Sequence, residues 1–292
     1  MGTGQDIIIK KGYHKTMNET DELIEKIHLY PGVLDSHTHL ILLQTKNLEW
    51  ERLLRACISS GLEVAMDIGT NTDTFCTRLD MCSKFPQVVM TDGLSVSKSA
   101  LEDADIKRRL DDLEKQVSEN ISDPKLVGIG EIGLDNHILY GGIEKQKKLF
   151  AAQMEIARQY DLPVVIHTRE ADSDTYDILS SFKLSRGGII HCFSSNYEWA
   201  KKYMDLGFYI SFSGNITYKR SDSIVETAAK IPATAILAET DAPFLTPQKV
   251  RKYPNFSGFM GYTYDFIAQT RGCTAEDLIP QIRENFRTLT GF

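Results

Sequence analysis

The sequence predicts an α/β protein, a (β/α)8 TIM-type barrel forming a single domain with a short N-terminal extension. Three observations support this. Eight short runs rich in Val, Ile and Leu recur along the chain, and they read as continuous apolar segments rather than alternating ones, as parallel strands covered on both faces require. Amphipathic stretches with helical spacing lie between them. No change of composition and no long Gly, Pro or Ser linker interrupts the series, so strand–helix alternation fills some 250 residues. A doubly wound open sheet is the alternative.

The elements follow in order. The expected strands cover residues 32–35, 63–68, 88–91, 126–131, 163–167, 188–191, 208–212 and 235–239. The segments 143–160, 195–206 and 221–230 read as helices packed against the sheet, while 103–120 is so charged that it reads as a solvated helix stopped by Ser122-Asp123-Pro124. Residues 1–31 precede the first barrel strand and form the extension, with a short strand expected at 6–10 and a helix at 19–28; residues 32–292 form the barrel.

Composition narrows the function. Of 292 residues, 42% are hydrophobic and 25% charged, with 33 Lys+Arg against 40 Asp+Glu for a net charge of −7. These values exclude disorder and argue against a broad basic surface that coats nucleic acid. The first residues lack the basic and apolar regions of a signal peptide, and no apolar run reaches a membrane-spanning length. Five cysteines with no Cys-x-x-Cys pair read as reduced thiols. A cytoplasmic protein is expected, or a nuclear one in a eukaryote, either monomeric or a small homo-oligomer.

The ionisable residues fall at the strand ends. Asp35, His37 and His39 follow the first strand, Glu131 ends the fourth, His167 the fifth and His191 the sixth, and Asp241 follows the eighth. All these ends open onto one rim of a barrel, where active sites sit. Each residue alone has an ordinary explanation, such as a hydrogen-bonded histidine or a helix cap. Six such groups at one register are hard to explain by packing, because buried carboxylates need a partner or a metal. Imidazole and carboxylate without cysteine suit Zn, Mn or Mg, and two metal ions sharing a carboxylate would use all six groups.

The motifs that carry these residues resemble the TatD-type metal-dependent hydrolases. Asp35-Ser36-His37-Thr38-His39-Leu40 and Gly130-Glu131-Ile132-Gly133-Leu134-Asp135-Asn136-His137 look like that family's first two motifs. His167-Thr168-Arg169-Glu170, His191-Cys192-Phe193-Ser194, the stretch 207–214 and Glu239-Thr240-Asp241-Ala242-Pro243-Phe244-Leu245-Thr246-Pro247 are similar to later ones. The resemblance covers roughly residues 32–290 and implies that His37, His39 and Asp241 hold one divalent ion and His167 and His191 a second, with Glu131 bridging. It also implies a DNase, often one that trims from a 3′ end, in which Asp241 accepts the proton of the attacking water with Glu131 beside it. His137 and Arg169 lie near the rim and would contact phosphate. The loops expected there also carry Lys219, Arg220, Lys249, Arg251 and Lys252, a basic set suited to a nucleic acid end. Tyr253, Phe256 and Phe259 in the same stretch are candidates to stack bases, or to pack on the barrel.

Three features depart from the family pattern. Arg251-Lys252-Tyr253-Pro254 has Lys and Tyr where the family usually has Asn and Glu, the loop 40–46 is apolar where acidic residues are common, and the extension is additional. Two other functions compete with the DNase. One is an amidohydrolase acting on a C–N or small phosphoester bond, which would often carry a modified Lys at the fourth strand end; Lys125 is instead at that strand's start. The other is a non-catalytic metal-binding relative.

Overall fold

The structure is a computed structural model that describes residues 18–97 and 106–292. The strand expected at 6–10 lies outside the described residues. After α1 (Glu19–Ile24) the chain enters β1 (Val33–Thr38), α2 (Leu40–Thr45), α3 (Trp50–Ser59), β2 (Leu62–Asp67), α4 (Phe75–Ser83) and β3 (Val88–Asp92). Then come α5 (Ile106–Asn120), β4 (Leu126–Asp135), α6 (Ile143–Gln159), β5 (Val164–Arg169), α7 (Asp172–Phe182) and β6 (Gly188–Ile190). The series ends with α8 (Tyr197–Asp205), β7 (Phe208–Phe212), α9 (Asp222–Lys230), β8 (Ile236–Ala238), α10 (Met260–Arg271) and α11 (Ala275–Thr290).

Each strand pairs in parallel with the next, in the order β1 to β8. That sequential order excludes the doubly wound sheet, whose strand order reverses at a switch point. The barrel closes through the segment following β8 rather than through a regular β1–β8 ladder. Thr38 bridges Ala242, and the Asp241 amide donates to the His37 carbonyl at 2.8 Å. Beneath this bridge Asp35, fully buried, accepts from the Thr240 amide and hydroxyl at 2.9 and 2.7 Å and from the Ser257 hydroxyl at 2.8 Å. Asp35 therefore closes the barrel and does not face the rim.

The strands are covered on both sides: all six residues of β1 and all ten of β4 are buried. This is why they read as unbroken apolar runs. Two strands extend past their expected ends. β1 continues to Thr38, which pairs with Asp67, so His37 lies inside the strand. β4 continues four residues beyond Glu131, to Asp135. The glycines of Gly128-Ile129-Gly130-Glu131-Ile132-Gly133 look like a strand break, yet here they permit close approach of β5. A Cβ on Gly133 would collide with the His167 carbonyl, and one on Gly130 with the Val165 side chain. The β4–β5 register shifts between Ile129 and Ile132, and within that irregularity the Glu131 amide turns to the Gly69 carbonyl at 2.6 Å. A bulge of this kind re-aims one side chain without ending the strand. The helix expected at 19–28 ends at Ile24, because the chain leaves it to dock on α10. The His28 amide bonds the Gly258 carbonyl at 2.8 Å, and Asp265 receives the His28 ring and the Tyr30 hydroxyl, each at 2.6 Å.

Candidate metal centre

The C-terminal rim gathers all six proposed ligands. Glu131, aimed inward by the β4 irregularity, lies between two histidine pairs. Its Oε2 lies 3.6 Å from His37 Nε2 and 3.8 Å from His39 Nε2. Its Oε1 lies 3.1 Å from His167 Nδ1 and 3.5 Å from His191 Nε2. Asp241 Oδ1 completes the first group at 3.5 Å from His37 Nε2 and 3.4 Å from His39 Nε2. The two nitrogens of each pair are 3.2 and 3.3 Å apart. His37 and His191 stack across the centre with ring centroids at 3.9 Å, joining the two groups.

The outward ring nitrogens decide which nitrogen faces the centre. His39 Nδ1 meets the Ile68 carbonyl at 3.2 Å, His191 Nδ1 meets Glu239 at 3.2 Å, and His167 Nε2 meets Asp135 at 3.0 Å. An acceptor there holds the ring proton and leaves the inward nitrogen free to ligate, the arrangement that orients imidazoles at metal sites. His37 Nδ1 is buried with no hydrogen-bond partner among the described residues.

Asp135 and Glu239 were not singled out by sequence, although both lie in the motifs. The available signal was that every ligating imidazole needs an acceptor for its other nitrogen. Both carboxylates are themselves held: Asp135 accepts from the amides of His137 and Ile138 at 2.9 and 2.7 Å, and Glu239 from the Cys192 amide at 2.8 Å.

The electrostatics reflect a cluster that needs a positive charge. Burial, reinforced by His191, pushes His37 down to about 3, so its ring is neutral. Burial opposes protonation of His191 too, but Glu131 and then Glu239 outweigh it and raise this imidazole well above its usual value. His39 and His167 are raised against burial by Asp241 and by Asp135 with Glu131. Glu131 in turn is held well below the carboxylate range, because His191 and His167 overcome the cost of its burial. Ligand atoms around a first-row divalent ion at ~2.1 Å stand roughly 3.0–3.4 Å apart, and the spacings within each group run from 3.1 to 3.8 Å, at or somewhat above that range. The donor set fits divalent ions, and we see no buried cationic side chain that substitutes for them among the described residues.

A cleft of about 540 Å³ opens above the centre. Its lining mixes the polar side chains of Arg169, Ser194 and Asn215 with the apolar ones of Leu42, Phe244 and Leu245. Of the expected phosphate contacts, Arg169 reaches this cleft. The other three sit on the exposed surface: His137 bonds Glu170 at 3.1 Å, the Arg251 guanidinium lies over Tyr218 at 3.9 Å, and the Lys252 amine lies over Tyr253 at 4.7 Å. Stacking by the 253–259 aromatics is not what the fold provides. Phe256 and Phe259 are buried against each other with centroids at 4.6 Å, and half-buried Tyr253 donates to Glu22 at 2.8 Å. Tyr253 thus tethers α1 to the loop that follows β8. Lys125 caps the carbonyls of Phe85 and Val88 beneath β3 at 2.6 and 2.7 Å, at the start of its strand and away from the rim.

Comparison with known proteins agrees with this geometry. Residues 34–291 match the family described as TatD related DNase. An uncharacterized metal-dependent hydrolase of Bacillus subtilis, YabD, is 30% identical over 258 residues, 88% of this chain and 98% of the relative. The Escherichia coli protein YcfH, also named an uncharacterized metal-dependent hydrolase, is 29% identical over 261 residues, 88% and 95% of the two chains. The crystal structure of the TatD homologue YjjV from Escherichia coli superposes with a TM-score of 0.83 at 26% identity, covering 89% of this chain and 98% of that one. A TatD family hydrolase from Entamoeba histolytica shares the fold at a TM-score of 0.77 and 18% identity. The chain belongs to the TatD-related DNase family of metal-dependent hydrolases.

Proposed function

We propose that this protein is a divalent-metal-dependent phosphodiesterase that trims DNA at a strand end, a 3′-exonuclease-type DNase. The observation that carries the reading is the placement of Glu131, whose two carboxylate oxygens each face one histidine pair under a cleft that Arg169 helps to line. His37, His39 and Asp241 would hold one ion and His167 and His191 the other, with Glu131 shared; Mg, Mn or Zn suit this donor set. Two such ions would acidify a water and neutralise the charge that builds on the phosphoryl oxygens.

The chain's own residues supply the rest. Arg169 offers a planar fork to a non-bridging phosphate oxygen. Asp241, at the cleft edge with its side chain 15% exposed, takes the proton of the attacking water. Water oxygen joins phosphorus, the bond from phosphorus to the 3′ oxygen of the remaining strand breaks so that the terminal nucleotide departs with its phosphate, and that 3′ oxygen is protonated from the open side of the cleft. Asp135 and Glu239 keep His167 and His191 turned inward throughout.

The test is release of nucleotides from labelled single- and double-stranded DNA with each metal. Asp241→Asn is expected to lower kcat by about 10²–10⁴-fold. Failure to cleave under any metal, with turnover of a cyclic amide or lactone instead, would favour an amidohydrolase.

A further inference from the structure

We propose that Phe244 is a stacking platform for the unpaired base next to the scissile bond. This rests on the phosphodiesterase reading and adds to it which nucleotides the site accepts. The residue lies three positions after Asp241, and 49% of it is exposed, which is unusual for a phenylalanine beside such a buried centre. Its backbone is nevertheless fixed. The Phe244 amide bonds the Asp241 carbonyl at 2.8 Å, and its own carbonyl accepts from Asn255 Nδ2 at 2.6 Å. Asn255 is buried and also holds the Thr240 carbonyl at 2.8 Å. A rigid main chain thus presents a half-exposed ring, which stands at an edge-type angle to His39 with centroids at 6.5 Å.

The surroundings identify the occupant. Leu42, Phe244 and Leu245 supply an apolar part of the cleft lining, with Phe244 beside His39, and Arg169 and Asn215 supply a polar part. A ligand that satisfies both parts of this lining has a flat apolar group joined to an anion, as a nucleotide does. The segment 40–46, expected as a loop, is instead the helix α2 (Leu40–Thr45), and its Leu42 lines the cleft. The Lys46 amine lies 6.0 Å from the Phe244 ring centroid, placed for the next phosphate along a strand. The terminal base of a blunt duplex is held by its pairing and by stacking on its inner neighbour, and freeing it to lie on the ring costs both, so this ring favours an unpaired end.

The experiment measures binding and cleavage separately, with Mn present. Two single-stranded hexanucleotides carry a 5′ fluorophore and a terminal methylphosphonate linkage that resists hydrolysis, one with its terminal base and one abasic. Fluorescence anisotropy should show wild type binding the intact strand roughly tenfold more tightly than the abasic one, the scale of one base–aromatic stack. Phe244→Ala should bind both with the abasic affinity, Phe244→Trp should restore the preference, and an unchanged Tm would show that both variants fold. Equal binding of the two strands by wild type, or a preference retained by Phe244→Ala, overturns the platform. The same strands with ordinary linkages report on the chemistry. Base-dependent binding without cleavage under Mg, Mn or Zn would overturn the phosphodiesterase and leave the platform standing. Cleavage of both strands at one rate, with equal binding, would do the reverse. Absence of binding would overturn both.

Discussion

At the scale of single residues, the centre is a set of imidazoles whose usefulness depends on their second nitrogen. Removing a ligand and removing its orienting partner should therefore give graded effects. His37→Ala and His191→Ala are each expected to lower bound metal, read by elemental analysis of the purified protein; unchanged stoichiometry in both would refute the ligand assignment. Glu239→Gln keeps size and shape but replaces the carboxylate 3.2 Å from His191 Nδ1. It should weaken metal binding by about 10- to 100-fold, measured by competition with a fluorescent chelator. That the six candidate ligands would come together was legible in the sequence because strand ends in a barrel share a rim, so local motifs could be placed together without a structure. Asp135 and Glu239 were not, because their role depends on which ring nitrogen points inward, and that is set by neighbouring strands. Phe256 and Phe259 were open to two readings for a similar reason: an aromatic in a loop stacks or packs according to what the fold lays over it.

At the scale of elements, β4 decides where Glu131 points. Its glycines let β5 approach, and the register shift turns Glu131 toward the centre. Gly133→Ala would drive a methyl group into the His167 carbonyl, at a backbone φ of +145° that side chains rarely adopt. A cost of about 1–3 kcal/mol is expected from the overpacking. In a chain of this size that lowers Tm by roughly 2–4 °C per kcal/mol, which circular dichroism would detect. Because His167 moves with its carbonyl, metal affinity should fall as well; an unaltered Tm and metal content would show that β4 tolerates the side chain. The eight strands were legible because their apolar runs are continuous. The length of β4 was not, since Gly-x-Gly spacing signals a break when read locally and close strand packing when seen in the sheet.

At the scale of the whole molecule, the barrel rim carries buried charge beyond the metal centre. Arg78, buried under the ends of β2 and β3, bonds Asp67 through Nε at 2.7 Å and lies 3.5 Å from Asp92. Burial raises Asp92 to about 7, with Arg78 only partly offsetting it. In the unfolded chain the group titrates near ~3.9, so between about pH 4 and 7 the unfolded state loses its proton while the folded state keeps it. Stability from this group is therefore full below pH 4 and is lost as pH rises toward 7. Asp92→Asn, which does not titrate, should gain stability relative to wild type across that window, by up to about 4 kcal/mol in urea unfolding; parallel pH curves would contradict the assignment. Among the described residues no helix is long and apolar enough to cross a membrane. The net charge of −7, which argues against a surface that coats DNA, is compatible with the proposed capture of one strand end in the cleft. The central claim is that Glu131 joins two cation sites, and electron paramagnetic resonance of the metal-free protein titrated with Mn tests it most directly. The account predicts two ions per chain with an exchange-coupled spectrum, and loss of that coupling in Glu131→Gln. Saturation at a single ion, or two ions with an uncoupled spectrum in wild type, would contradict it.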